Sequence, residues 1–80
     1  MDRLNTEEKV VGLKQSRRAV MSGKAKLVYI ARDADMHVIF PFERICEEKG
    51  VEIVYVNNMK ELAKACRVEV KTAVAVLLAD

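Results

Sequence analysis

The chain has 80 residues, room for one domain (1–80) and no second, and 51% of them are apolar, enough for a thin core. Two cysteines standing apart, Cys46 and Cys66, and one histidine, His37, exclude a zinc cluster of the usual ligands; the thiols read as reduced and packed as small apolar groups. The net charge of +2 conceals a split: Lys9 to Arg32 holds seven bases and no acid, whereas Asp33 to Asp80 holds six bases against nine acids, a net of −3.

That asymmetry points to a polyanion partner for the first part, although a merely solvated basic face would look the same. Residues 1–8 form a poorly defined N-terminal segment, in which Leu4 to Glu8 has the makings of a short helix. Its start, Met1 to Thr6, is polar and lacks the apolar region of a signal peptide. Lys9 to Gly12 is a brief extended stretch. Leu13 to Ser22 follows as a helix, with Leu13, Ala19, Val20 and Met21 near one face and Lys14, Gln15, Arg17 and Arg18 projecting elsewhere. Ser22 and Gly23 end it, because glycine accepts the left-handed conformation a helix terminus needs.

Lys26 to Ala31 carries the unbroken apolar run of a buried central strand. Asp33 to Asp35 is a loop, and the chain turns helical from Met36, with Pro41 expected in the first turn or before it. Phe42, Ile45 and Cys46 supply the buried stripe of that helix. Glu43, Arg44, Glu47 and Glu48 face water, and Gly50 closes it. Val51 to Val56 reads as a strand. Asn58 to Glu61 is a capping box that opens a helix with Met59, Leu62 and Cys66 inward. The loop Arg67 to Lys71 leads into a last strand, Thr72 to Leu78. The longest apolar stretch, Ala73 to Ala79, has seven residues, far short of a membrane span. Helices alternating with apolar strands predict a three-layer α/β/α sandwich around a central mixed sheet of about four strands. A cytoplasmic protein is expected.

Catalytic patterns fail one by one. Gly12, Gly23 and Gly50 are too scattered for a phosphate-binding loop, and no Ser/His/Asp set is suggested around the lone imidazole, His37. Asp33 and Asp35 follow a strand, where α/β sheets often keep catalytic groups, yet two carboxylates there more often cap the following helix or neutralise its N-terminus. No enzyme, no cofactor, no metal and no small-molecule substrate is expected. Gly12 to Arg18 is more informative, since it joins a strand to a helix start, where free amides and the positive dipole end favour phosphate. Lys14 and Gln15 fall in the first turn, with side chains able to read base edges, and Arg17 and Arg18 are placed for phosphates. An ordinary basic surface remains the alternative. In the loop Arg67-Val-Glu-Val-Lys71, Val68 and Val70 beside Glu69 either hold an unstacked base or anchor the loop on the core.

These segments together resemble the kink-turn-binding ribosomal-protein superfamily (the L-seven-Ae and L-thirty-e group), and its short bacterial members in particular. The markers run from Lys9 to Leu78. They are Gly12-Leu-Lys-Gln-Ser, Lys24-Ala-Lys-Leu-Val with Ala31-Arg-Asp-Ala-Asp35, Cys46-Glu-Glu-Lys, Val54-Tyr-Val, Lys60-Glu-Leu-Ala-Lys-Ala-Cys66, and Val68-Glu-Val before an alanine-rich strand.

The resemblance implies an α/β/α sandwich that binds kink-turns, RNA elements in which a three-nucleotide bulge bends a helix beside tandem sheared G·A pairs. It assigns Gly12, Lys14 and Gln15 to the G·A pairs, Arg18 to phosphate, and Val68, Glu69 and Val70 to the extruded bulge base. Arg17, Arg32, Arg67 and Lys71 complete the expected RNA-binding set. Lys14-Gln15 replaces the Asn-Glu pair of archaeal members, Met36 stands where proline is frequent, and Arg67 replaces a usual glycine. A left-handed backbone at Arg67 would cost about 1–2 kcal/mol. The expected protein is a monomer that binds ribosomal RNA or a riboswitch. The alternative is a protein-interaction module of a ribonucleoprotein particle, working through the acidic helix face of Glu43, Glu47 and Glu48.

Overall fold

The structure, a computed structural model, describes residues 3–79; Met1 and Asp2 of the expected N-terminal segment, and Asp80, lie outside the described residues. Along the chain come α1 (Arg3–Thr6), β1 (Lys9–Val11), α2 (Leu13–Met21), β2 (Ala25–Ala31), α3 (Met36–Lys49), β3 (Ile53–Val56), α4 (Met59–Cys66) and β4 (Val74–Leu78). The strands form one mixed sheet in the order β1-β4-β2-β3. β4 runs antiparallel to both β1 and β2, and β3 lies parallel to β2.

The two most buried strands, β4 and β2, take the central places, where both of their faces are covered. Their residues alternate between two cores. Val28, Ile30, Val74 and Val76 meet Ala19 and Val20 of α2 and Ile39, Phe42 and Cys46 of α3. Leu27, Tyr29, Ala31, Ala75 and Leu77 meet Leu4 of α1 and Leu62 and Cys66 of α4. The result is the α/β/α sandwich expected. A four-residue helix cannot sustain itself, and α1 is held by the complete burial of Leu4, worth about 1.5–3 kcal/mol. Glu7, just beyond it, accepts from Arg3 and Lys26, and these two cations pull its carboxyl down to about 2.

Several boundaries differ from the sequence reading for local reasons. The opening helix is Arg3–Thr6 rather than Leu4 to Glu8. Pro41 sits inside α3, five residues past its first. The i−4 bond it forfeits belongs to the carbonyl of exposed His37, on the side of the helix open to water, while Ile39, Phe42 and Cys46 hold the other side in the core. The strand expected from Val51 starts at Ile53, since the Val51 amide closes α3 on the Cys46 carbonyl. The strand expected from Thr72 starts at Val74. Thr72 instead ties the preceding loop, with its amide on Met59 O and its hydroxyl on Val70 O. Leu13 and Met21, expected on the core face of α2, are exposed; the buried stripe is Ser16, Ala19 and Val20. Glu43, expected in water, is half-buried against β3 and accepts the Tyr55 hydroxyl proton.

Three helices end in the same closure. The amides of the left-handed residue and of its successor bond back to the last turn, at Gly23 and Lys24 for α2, Gly50 and Val51 for α3, and Arg67 and Val68 for α4. This is a Schellman motif, which satisfies carbonyls the helix leaves unpaired. Two of the three left-handed positions are glycine and the third is Arg67, with φ 60 and ψ 40.

Candidate nucleic-acid interface

At one end of the sheet β1, β2 and β3 finish and β4 begins, and three backbone bonds align the chain segments there. Gly12 N donates to Val74 O at 3.0 Å, Ala31 N to Ala73 O at 2.8 Å, and Arg32 N to Val56 O at 2.9 Å. With neighbouring strands about 4.8 Å apart, the start of α2 therefore stands beside the loop that precedes β4. Two segments more than fifty positions apart in sequence are thereby brought to the same end of the sheet.

Gly12 carries φ 95 and ψ 157, a conformation side chains rarely adopt, and a Cβ built there would meet nothing within 4 Å. Strain, and not crowding, therefore dictates glycine, and the space in front of it is open. No side chain caps α2, so its first-turn amides and the positive end of its dipole face outward. Lys14, Gln15 and Arg18 line one groove together with Val10, Ala19, Ser22, Lys24 and Leu78. Arg17 divides its position: it borders Lys14 and Arg18 on the outer face of α2, and also a cleft toward α3 with Leu13, His37 and Phe42. Among the described residues, none of Lys14, Arg17, Arg18 and Lys24 pairs with a carboxylate; the ion pairs present are those of Glu7.

The second segment is held as firmly. Arg67 closes α4, and the Val68 amide donates to Ala63 O at 3.0 Å. Val68 packs half-buried against the core cluster of Leu62 and Cys66, whereas Val70 is 74% exposed. Of the two sequence readings of these valines, the anchor fits Val68 and the open contact fits Val70. Glu69 and Lys71 are exposed on either side. Arg32 belongs to the same sheet end by its backbone, but its guanidinium lies 5.5 Å from the centre of the Tyr55 ring, toward the β3 edge and away from Gly12. The hydrogen bond to Glu43, with burial, pushes the Tyr55 hydroxyl up to about 12.

Asp33 and Asp35 are spent on helix starts. Asp35 accepts from His37 N at 2.8 Å and caps α3, and Asp33 accepts from Met59 N at 2.8 Å at the start of α4, beside the Asn58 cap that accepts from Glu61 N at 2.7 Å. Burial pushes the Cys46 thiol up to about 11 and raises Cys66 as well, in keeping with packed thiols. Among the described residues, no group of three or more His, Cys, Asp or Glu could hold a metal ion, and no helix is long and apolar enough to cross a membrane. Lys24, which lines the same groove as Lys14 and Arg18, was not among the candidates read from the sequence. Its signal was the Ser22-Gly23 stop directly before it, which turns the chain back alongside α2.

Comparison with known proteins gives a consistent picture. Residues 2–80 match the model of the ribosomal protein L7Ae/L30e/S12e/Gadd45 family. The chain is 47% identical over 68 residues to an RNA-binding protein of Caldanaerobacter subterraneus subsp. tengcongensis, covering 85% of this chain and 83% of that one. It is 38% identical over 69 residues to the RNA-binding protein YbxF of Geobacillus stearothermophilus, covering 86% and 84%. Among solved structures, the 15.5 kD RNA-binding protein of Giardia lamblia superposes with a TM-score of 0.83 at 36% identity, over 90% of this chain and 61% of that one. A Bacillus halodurans protein of unknown function superposes at 0.82 with 22% identity, over 92% and 74%, a likeness of fold alone.

Proposed function

Because the chain belongs to the ribosomal protein L7Ae/L30e/S12e/Gadd45 family, we propose that it binds RNA and recognises a kink-turn or a closely related internal loop. The observation that supports this reading is the juxtaposition, through the Gly12 N to Val74 O bond, of an uncapped helix start with a loop, hydrogen-bonded at both ends, that exposes Val70. In the proposed complex Gly12 lets the RNA backbone come close, Lys14 and Gln15 read the edges of sheared G·A pairs, and Arg17 and Arg18 meet phosphates. Val70, with Glu69 and the stem of Val68, closes on an extruded base, and Arg67 and Lys71 flank it with positive charge. Arg32 contributes at the margin of this surface. The protein acts as a cytoplasmic monomer without cofactor or catalysis, on ribosomal RNA or a riboswitch.

The test is a calorimetric titration with a short kink-turn duplex, against the same duplex with its G·A pairs converted to Watson–Crick pairs. Tight binding lost in the control is the expected result. Lys14→Ala or Gln15→Ala should cost about 1–3 kcal/mol and erode that discrimination. Equal, salt-sensitive binding to both duplexes would refute structure-specific recognition.

One observation favours a second reading, a face for a protein partner. Met36 and Phe40, 49% and 57% exposed, lie one turn apart on α3 beside Glu43 and Glu47. Charge reversal at Glu47 and Glu48 would then abolish partner binding and leave RNA affinity intact.

A further inference from the structure

We infer that the groove between α2 and the β1–β4 edge is a second RNA contact, which holds the sugar-phosphate backbone of the strand leaving the α2 start, with Lys24 as its outermost cation. The inference rests on the proposal that the chain binds RNA, and adds to it a path beyond the two segments described above. Val10 of β1, Ala19 of α2 and Leu78 of β4 supply an apolar floor. Lys14 and Arg18, one turn apart and so about 6 Å along the helix axis, stand on one wall with Gln15. Lys24 and Ser22 close the far end.

Lys24 is not a loosely tethered charge. The left-handed Gly23, φ 76, turns the chain back so that Lys24 N donates to Ala19 O at 2.9 Å, and Lys24 O accepts from Ala79 N at 2.7 Å. Its Cα is thereby fixed against both α2 and the end of β4. The groove has three cations along its length and no acid in its lining, and none of the three pairs with a carboxylate among the described residues.

Lys26, two positions on, gives the contrast, with its Nζ 2.6 Å from the Glu7 carboxylate. A row of unpaired cations over an apolar floor matches a phosphodiester strand, whose charges repeat and whose sugars present apolar faces. Continuity selects the occupant: Lys14 and Gln15 belong both to the helix start and to the groove, so a strand read at the first is delivered into the second.

The experiment is a fluorescence-anisotropy titration of a labelled kink-turn duplex and of a plain duplex of equal length, at about 50 and about 200 mM salt, with wild type, Lys24→Ala and Lys26→Ala. Removing one phosphate contact should make the loss of affinity between the two salts about threefold smaller, on both RNAs, for Lys24→Ala alone. Lys26→Ala carries the same change of net charge outside the groove and should behave as wild type. Unchanged salt dependence for Lys24→Ala, or equal flattening by Lys26→Ala, overturns the inference. If wild type binds both duplexes equally while Lys24→Ala still flattens the response, kink-turn recognition fails and the groove stands. If neither RNA binds, both fall.

Discussion

Replacing Arg67 with glycine should stabilise the fold while weakening its grip on RNA. The three closures that end α2, α3 and α4 share one hydrogen-bond pattern, and Arg67 occupies at α4 the place that Gly23 and Gly50 occupy at the others. A side chain at a left-handed residue costs about 1–2 kcal/mol. Glycine forfeits about 0.5–1 kcal/mol of that gain through the greater freedom of the unfolded chain. At the middle of both ranges the difference is about 0.75 kcal/mol, which in a domain of this size raises Tm by about 3–6 °C. Thermal unfolding followed by circular dichroism measures it, with Arg67→Ala as the control that removes the charge and keeps the strain. Arg67→Ala should stay within about 0.5 kcal/mol of wild type, as exposed substitutions do. In RNA titrations both variants should lose affinity alike for kink-turn and plain duplex. A glycine variant no more stable than the alanine variant would refute the strain argument. An alanine variant that binds as tightly as wild type would refute the role of the charge.

Three further outcomes follow from side chains outside the interface. Absorbance titration of tyrosinate in a Tyr29→Phe background should give a midpoint of about 12 for Tyr55, and Glu43→Gln should bring it down toward 10. Since the folded pKa is raised, the stabilisation from this contact is complete below the ordinary value and disappears as pH rises through about 12. A thiol reagent at about pH 8 should leave Cys46 and Cys66 unreacted in the folded protein and label both after unfolding, because burial raises both thiols. Leu4→Ala should cost about 2–5 kcal/mol in urea unfolding, a loss near zero showing that α1 contributes nothing to the core that Leu4 enters.

What could be read from the sequence was governed by how local the cause is. The apolar runs of β2 and β4, the stops at Gly23 and Gly50 and the Asn58 cap depend on a few neighbouring residues, and all were legible. The Asp33 and Asp35 carboxylates were legible only as alternatives, since Asp33 meets Met59 across 26 positions. Pro41 was misplaced because the burial that holds α3 around it comes from the sheet. Leu13 and Met21 were placed by helical spacing near the face of Ala19 and Val20, whereas the close approach of α2 to the sheet is made by small Ser16 and Ala19 with Val20. At the candidate site, Gly12, Lys14 and Gln15 came from the motif itself. Their meeting with Val68 and Val70 needs the β1–β4 pairing, and the separate direction of Arg32 needs Tyr55, so neither was visible in the chain alone.

The charge split along the chain acquires its meaning from the strand order. The residues from Lys9 to Arg32 that hold seven bases and no acid build β1, α2 and β2, while Glu43, Glu47 and Glu48 ride on α3 and Glu52 precedes β3. Because β1 and β3 are the two outer strands, much of the linear asymmetry falls between opposite edges of the sheet, with Arg32 on the β3 side. Lys26 lies outside the groove of Lys14, Arg18 and Lys24, paired with Glu7, which it shares with Arg3. On the proposed RNA-binding reading a polyanion is drawn more strongly to the α2 edge than to the α3 edge, where Arg44 and Lys49 offset two of the three glutamates, and this raises productive encounters. Salt should on this account slow association more than it speeds dissociation, which stopped-flow mixing with RNA at about 50 and about 200 mM salt measures.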